Sequence, residues 1–296
     1  MTGFCVHPDR FVRQIHLKEE AAVGETMVTV EELVAQSGPV DVTWVYEQWR
    51  EKLAEMMAKL QDRFELVVDP STNGLEVAGE IGSGIHGQVQ CFAGPEIDWM
   101  VYSWMADPKN GFANMHITIS PGPQVDVPLF GMAFACFGER PWGFMDFGAR
   151  REAAVNTDYY FKYYEPLNER WLNVRRDNPQ LDWFMSPSGY VRQVLSPIAF
   201  CYSGPPEQKT VDLIQGEADY MLDEWMKMFD AADPVPADQQ DELCQYTEDW
   251  RHTVAQLDPA NSVAVKLFGQ DICDQLVMAL GGTQRQLPHA GKFWTK

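Results

Sequence analysis

The sequence lacks the closely spaced cysteines of a metal or disulfide scaffold. Its six cysteines stand at positions 5, 91, 136, 201, 244 and 273, and no two of them form a C-x-x-C pair. Structural zinc and iron–sulfur sites need such pairs, so we expect no metal site. Dispersed thiols in a chain of 296 residues are typical of reduced, buried cysteines, which predicts a cytoplasmic protein.

Long apolar runs are also missing. The longest one, residues 127–137, has 11 residues and contains Pro128 and Gly131, whereas a membrane helix needs ~20 apolar residues. His7 and Asp9 stand where a secretion signal would be apolar, so no signal peptide is predicted. We therefore expect no membrane insertion.

Positive charge is scarce, because 23 Lys and Arg residues face 43 Asp and Glu residues and give a formal net charge of −20. Nucleic acids and anionic membrane surfaces both select clustered positive charge, so neither is an expected partner. The sequence has no G-x-S-x-G, P-loop or H-E-x-x-H motif. It therefore carries no signature of the common serine hydrolases, P-loop nucleotide-binding proteins or zinc proteases.

Hydrophobic residues make up 45% of the chain, which is enough for a large core. Apolar residues three and four apart predict a helix over residues 41–66. Short β-prone runs separated by tight turns then predict an antiparallel meander. These runs are 86–92, 97–105, 115–120, 130–137 and 142–147. Further helical patterns cover residues 157–174, 208–229, 239–257 and 263–280.

A helix, a sheet and a second set of helices place the chain in the α/β class. The predicted architecture is a three-layer α/β/α sandwich with a central antiparallel sheet. Residues 1–296 are predicted to form a single domain, with a core over about residues 40–280 and a loose tail over residues 281–296.

Three polar residues stand out in these elements. His116 lies in an alternating run, on the opposite face from Met115 and Ile117. Asp146 ends the last predicted strand, where a turn or an ion pair with arginine is favoured over catalysis. Asp258 stands where a helix stops, and the alternative to a functional role is that it caps the next helix, with Pro259 in the first turn.

A relatively positive zone lies between Arg140 and Arg192. It contains eight basic and seven acidic residues, while the rest of the chain has 15 basic and 36 acidic residues. Arginine binds carboxylates through two parallel hydrogen bonds, so this zone is a candidate docking site for acidic groups. Ordinary surface salt bridges are the alternative. Its arginines include Arg150, Arg151, Arg170, Arg175, Arg176 and Arg192.

Three passages in register resemble the ferredoxin-dependent bilin reductases, a family that includes, more distantly, red chlorophyll catabolite reductase. Residues 115–134 (MHITISPGPQVDVPLFGMAF) are similar to the family's strand, Pro-rich turn and second strand. Residues 184–202 (FMSPSGYVRQVLSPIAFCY) look like a passage of the chlorophyll-catabolite branch, and residues 249–271 (DWRHTVAQLDPANSVAVKLFGQD) look like the family's C-terminal helix pair.

The resemblance implies an enzyme, an oxidoreductase with the sandwich fold, that binds a linear tetrapyrrole such as biliverdin between the sheet and the C-terminal helices. It implies reduced ferredoxin as partner and electron donor, with no bound cofactor, and side chains as the source of protons. His116 and Asp258 fall on positions that the family uses for proton transfer. Arg150, Arg151 and Arg192 are the expected partners of the pigment's propionates or of acidic ferredoxin.

Ala133 departs from the family pattern, because it stands where the family carries an aspartate beside the pigment. An Ala methyl group donates no proton, so reduction of the 15,16 bridge would need another acid, for which His116 is a candidate. The alternative is that protons come mainly from Asp258, which favours reduction of the A-ring. Three alternatives to a biliverdin reductase stay open: a reductase of a linear chlorophyll catabolite, a non-catalytic tetrapyrrole binder on the same fold, and an acidic scaffold that has kept only the fold.

Overall fold

A ten-stranded sheet forms the centre of the computed structural model, which describes residues 25–79, 84–291 and 294. Cys5 and the segment predicted to carry no secretion signal lie outside these residues. The strands are β1 (Glu25–Met27), β2 (Val67–Val68), β3 (Glu76–Gly79), β4 (Ile85–Ala93), β5 (Ile97–Asp107), β6 (Phe112–Pro121), β7 (Leu129–Phe137), β8 (Arg140–Gly148), β9 (Asp182–Met185) and β10 (Phe200–Ser203).

The strand order is β1-β9-β10-β8-β7-β6-β5-β4-β2, and β3 also pairs with β4. Every pair is antiparallel except β1 with β9, which is parallel. The five predicted strands correspond to β4–β8, which confirms the antiparallel meander. Tight turns made this part predictable, because a parallel crossover needs a dozen or more residues.

Helices cover both faces of the sheet, which confirms the predicted α/β/α sandwich. The described helices are α1 (Val30–Val34), α2 (Thr43–Arg63), α3 (Thr157–Tyr163), α4 (Glu165–Asp177), α5 (Gly189–Val194), α6 (Gln208–Asp230), α7 (Gln240–Leu257), α8 (Ala260–Phe268) and α9 (Gln270–Gly281). Over the described residues, none of these helices is long and apolar enough to cross a membrane.

The first helical layer, α2 and α6, buries the larger core. Trp49 of α2 is fully buried and stacks on Phe134 of β7, with ring centroids 5.6 Å apart. Trp225 of α6 is also fully buried, and its indole donates a hydrogen bond to the carbonyl oxygen of Pro128 at 2.8 Å. Burial of large aromatic side chains supplies much of the hydrophobic stabilisation of such a core.

The second helical layer, α7–α9, packs on the opposite face. Leu276 and Ala279 of α9 form a smaller apolar cluster with Val89, Trp99 and Val101 of β4 and β5. The indole of Trp99 donates a hydrogen bond to the carbonyl oxygen of Ala279 at 2.9 Å. This contact fixes α9 over one side of the sheet face.

Two predicted helices are each divided in two. The helix over residues 157–174 breaks at Tyr164, because Pro166 has no N–H to continue the helical hydrogen bonds. The helix over residues 263–280 breaks at Gly269, whose φ of +83° is readily adopted only by glycine.

The described part of the C-terminal segment is held tightly, in contrast to the loose tail predicted from residue 281. Asp98 of β5 accepts hydrogen bonds from Arg285 Nη1 at 3.1 Å and from the backbone N–H of Ala290 at 3.1 Å. Asp69, which is fully buried, accepts the N–H groups of Gln286 and Leu287 at 2.9 and 2.8 Å. Two buried carboxylates therefore anchor this segment, and Leu287 also packs against the smaller apolar cluster.

His289 makes the stability of this segment dependent on pH. Its hydrogen bond with Asp98, 2.9 Å from Nδ1 to Oδ1, raises the pKa of His289 to about 9. The stabilisation is complete below pH 6.5 and is lost as the pH rises towards 9, because the folded state binds the proton more tightly than the unfolded state. We expect the free energy of unfolding, measured with urea, to fall over this interval. The fall should be smaller in His289→Gln, and an equal fall in both proteins would contradict the assignment.

Candidate functional site

The strand register places His116 in a row of four paired residues across the sheet. This row lies on the face covered by α7–α9, which we call the second face. His116 pairs with Ser103 of β5 and with Ala133 of β7, and Ala133 pairs in turn with Phe144 of β8. Directly paired residues share a face in an antiparallel sheet. The packing of Trp99 and Val101 against α9 shows that this is the face covered by the C-terminal helices.

A second row runs beside the first. Thr118 of β6 pairs with Gly131 of β7, and Gly131 pairs with Asp146 of β8. A side chain built at Gly131 would meet only the ring of Phe144, at 3.8 Å. Together with the small Ala133, this glycine leaves space above the middle of the sheet.

Burial alternates along the central strands, and the middle of this face is partly exposed. We call this partly exposed region, between the sheet and the C-terminal helices, the cleft. His116, Thr118, Gly131, Ala133 and Phe144 are all partly exposed. Their neighbours on the opposite face are at most 1% exposed, and they include Ile117, Met132 and Met145. The centre of the second face is therefore open, whereas the centre of the first face is sealed by α2 and α6.

The C-terminal helices and a small cavity bound this cleft. Helix α9 covers β4 and β5, and α7 approaches β8 so closely that a Cβ atom at Gly148 would lie 3.2 Å from the ring of Trp250. At the other end of the same face, a cavity of about 250 Å³ is lined by side chains that include Phe137, Arg140 and Trp142.

His116 is a neutral imidazole at physiological pH. Burial lowers the pKa of its imidazole to about 4. The hydroxyl oxygen of Ser103 lies 2.9 Å from Nδ1, and this contact orients the ring. A neutral imidazole can hydrogen-bond to a ligand, but it holds no imidazolium proton at neutral pH, so other groups are needed as proton stores.

Asp258 lies between α7 and α8, in the helical layer on the side of the sheet that carries His116. One carboxyl oxygen accepts the backbone N–H of Ala260 at 2.8 Å. This is the capping interaction expected as the alternative, and it leads into α8, which starts at Ala260. Burial also raises the pKa of Asp258, so the residue combines a local structural role with the properties of an acid.

Asp146 was not expected to be functional, yet its carboxyl group lies on the face that carries His116. It accepts hydrogen bonds from the N–H of Phe147 at 2.8 Å, the N–H of Ser196 at 3.1 Å and the hydroxyl of Ser196. Burial raises the pKa of Asp146 to about 6. Only its pairing with Gly131, which the sequence does not reveal, places it beside the cleft.

The three arginines expected to bind substrate lie in different surroundings. Arg150 is buried, and its guanidinium donates hydrogen bonds to the carbonyl of Val125 at 2.8 Å and to the hydroxyl of Thr247 at 2.9 Å. Arg151 is 3.6 Å from a carboxylate oxygen of Asp126. The exposed Arg192 of α5 donates to the backbone of its own loop. The role of these arginines in substrate binding stays a prediction.

The positive zone contains many ion pairs, as the salt-bridge alternative anticipated. Arg170 pairs with the buried Glu217, Arg175 with Glu25, and Arg176 with its neighbour Asp177. Much of its charge is therefore already neutralised.

Asp98, Cys244 and His289 form a cluster, found within the described ranges, whose potential ligand atoms lie within 4.8 Å of one another. The guanidinium groups of Arg251 and Arg285 lie 3.3 and 3.1 Å from the Asp98 carboxylate. Two cations at this carboxylate disfavour a metal ion, because they already compensate its charge.

Comparison with known proteins gives one family match and one informative structural match. The model of a family described as red chlorophyll catabolite reductase (RCC reductase) matches residues 48–282. A crystal structure of selenomethionine phytochromobilin synthase from tomato, in complex with biliverdin, is 18% identical. The match covers 80% of this chain and 84% of that chain, with a TM-score of 0.68, and shows a shared fold. No curated protein matches the sequence.

Proposed function

The chain belongs to the red chlorophyll catabolite reductase family, and from this premise we propose that it is an oxidoreductase that reduces an open-chain tetrapyrrole. Reduction proceeds by sequential one-electron transfers, and side chains around the cleft supply the protons. Biliverdin, which is bound by the tomato enzyme of the same fold, and a red chlorophyll catabolite are the two substrate candidates.

The observation that carries this proposal is the partly exposed row on the second sheet face, with the buried acid Asp146 beside it. Trp142 and Phe144 stack at 6.3 Å with an interplanar angle of 10°, which provides an aromatic surface for a flat conjugated ligand. His116 and Thr118 supply polar groups on the same face, two strands away from that surface. Ligand sites commonly combine apolar walls with a few polar groups in this way.

The reduction consumes two electrons and two protons for each double bond. Each electron comes from a one-electron donor, for which we propose reduced ferredoxin. The first electron converts the pigment into a basic radical, and the second converts the protonated radical into a basic closed-shell anion. A side-chain acid then loses its proton to the pigment, and the proton is replaced from solvent. Asp258 suits this role because burial keeps its carboxyl protonated to a higher pH than usual.

Reduction of the A-ring is the expected outcome, because position 133 supplies no acid. The Ala133→Asp substitution places a carboxyl on β7 directly beside His116. We expect it to add a product reduced at the 15,16 bridge or to redirect reduction towards that bridge. Chromatography of the extracted pigments would detect this product, whereas an unchanged product would contradict the role assigned to position 133.

The decisive experiment is anaerobic spectroscopy of the purified protein with each tetrapyrrole. A spectral shift on mixing reports binding, and a new pigment after addition of reduced ferredoxin reports reduction and identifies the reduced bond. A chemical one-electron reductant in a parallel sample separates a failure of the ferredoxin partner from a failure of the chemistry. Binding of neither pigment would contradict the proposal.

A non-catalytic tetrapyrrole carrier is the second candidate, and two observations favour it. Ala133 replaces an acid, and the net charge of −20 opposes docking of an acidic ferredoxin. This candidate predicts a shifted pigment spectrum that no electron donor changes further. Turnover with either donor would exclude it.

A further inference from the structure

Asp146 is a buried carboxyl group without a cationic partner among the described residues. It is 5% exposed, and its described hydrogen-bond donors are the N–H of Phe147 and the N–H and hydroxyl of Ser196. Burying a carboxylate away from cations is costly, and the cost falls when the group is protonated. Such a group beside a cleft is a candidate for proton transfer.

Its position in the sheet relates it to the substituted position 133. Asp146 pairs with Gly131, and Ala133 pairs with Phe144, so Asp146 and Ala133 are diagonal neighbours on one face. Diagonal neighbours on adjacent strands are ~7–8 Å apart. Gly131 has no side chain to separate them, and the methyl group of Ala133 leaves the space above β7 open.

Neither His116 nor Asp258 supplies an acidic proton from the sheet at neutral pH. His116 is neutral at physiological pH, and Asp258 lies in the connection between α7 and α8 rather than on the sheet. From ordinary strand spacing, the Cα atoms of His116 and Asp146 are roughly 12 Å apart. His116 and Asp146 therefore lie on either side of the position where the family has its acid.

We propose that Asp146 is the proton donor on the sheet side of the cleft and protonates the pigment radical from there. This inference rests on the proposed function. After the pigment accepts one electron, the O–H bond of Asp146 breaks and its proton forms a new bond to the pigment radical. The carboxylate that remains is stabilised by Phe147 N–H, Ser196 N–H and the Ser196 hydroxyl. A proton from solvent then restores the acid before the next electron arrives.

The test compares Asp146→Asn with the unaltered protein in anaerobic single turnovers. Asparagine keeps an oxygen for one of the two backbone N–H groups but supplies no acidic proton. We expect pigment binding to persist and the step that consumes the radical to slow by about 10²-fold. In the double variant Ala133→Asp/Asp146→Asn, we expect much of this rate to return, because the acid is restored on the neighbouring strand.

Asp107→Asn is the matched control. Asp107 is 3% exposed and lies on the same face at the far end of β5, where its carboxyl accepts hydrogen bonds from Asn110. We expect this substitution to leave the rate of radical consumption unchanged. A loss equal to that of Asp146→Asn would overturn the inference, since it would reflect removal of any buried carboxylate from the face.

The remaining outcomes separate the inference from the proposed function. Absence of reduction by the unaltered protein would overturn both, whereas an unchanged rate and product in Asp146→Asn would overturn the inference alone. If Asp146→Asn shows no cooperative thermal unfolding, that variant is not folded, and Ser196→Ala is tested instead. It keeps the acid but removes a hydroxyl donor that lowers the pKa of Asp146, so we expect the pH at which the step slows to move upward, and an unchanged pH profile would overturn the inference.

Discussion

The Asp258→Asn substitution is expected to lower the rate of pigment reduction by about 10²–10⁴-fold, which is the usual contribution of a general acid. Asparagine keeps an oxygen for the N–H of Ala260, so the start of α8 should be preserved while the acidic proton is lost. Pigment affinity, measured from the spectral shift, should change much less than the rate. Single-turnover spectroscopy with reduced ferredoxin separates the two quantities.

Asp274→Asn is a suitable control for this experiment. Asp274 is an exposed acid of α9 that accepts a hydrogen bond from Gln270, so its removal should leave the rate unchanged. His116→Gln completes the series, because glutamine retains a hydrogen-bonding group but does not titrate. Unchanged turnover in both Asp258→Asn and His116→Gln would show that neither residue predicted from the sequence to transfer protons does so, and would contradict the role proposed for Asp258.

The Asp98→Asn substitution is expected to reduce the free energy of unfolding by about 3–5 kcal/mol, because it removes the common partner of two buried cations. The Asp98 carboxylate contacts Arg251 at 3.3 Å, Arg285 at 3.1 Å and His289 at 2.9 Å. Burial opposes ionisation of this carboxyl, but the hydrogen bond from His289 and the two guanidinium charges outweigh it and hold the pKa well below its usual range. The melting temperature should fall by roughly 10 °C.

Asp177→Asn provides the comparison on the surface. Asp177 pairs with Arg176, and both side chains are more than half exposed, so the effect should stay within about 0.5 kcal/mol. Urea denaturation of the two variants measures the difference directly. Equal effects would show that the buried network contributes no more than a surface ion pair.

The central meander was predictable because its evidence is local. Each of β4–β8 is an apolar or alternating run that ends at a turn rich in glycine, proline or asparagine. The outer strands β9 and β10 have four residues each, which is too short for a periodic pattern, and β1 pairs with a strand more than 150 residues away in the sequence. Long-range pairing of this kind leaves no local signature.

The candidate site was partly predictable for the same reason. Alternation along residues 115–119 placed His116 on the face opposite Ile117, and the structure has it there. The alternation of Trp142, Phe144 and Asp146 likewise places these three on one face, but it does not indicate which face. That choice depends on the register of β8 against β7, which pairs Asp146 with Gly131. The burial of Arg150 could not be predicted from the sequence either, because it depends on how residues 122–127 fold over its guanidinium.

The two edge strands of the sheet, β1 and β2, are short, and this limits self-association. Within the described chain, the sheet ends in β1, which has three residues, and β2, which has two. The outer side of β4 is covered in part by β2 and in part by β3. Long unpaired strands are templates for aggregation between copies, because their free N–H and C=O groups pair with another chain. This sheet offers few such groups, so edge-to-edge association of copies is disfavoured even though its second face is partly exposed.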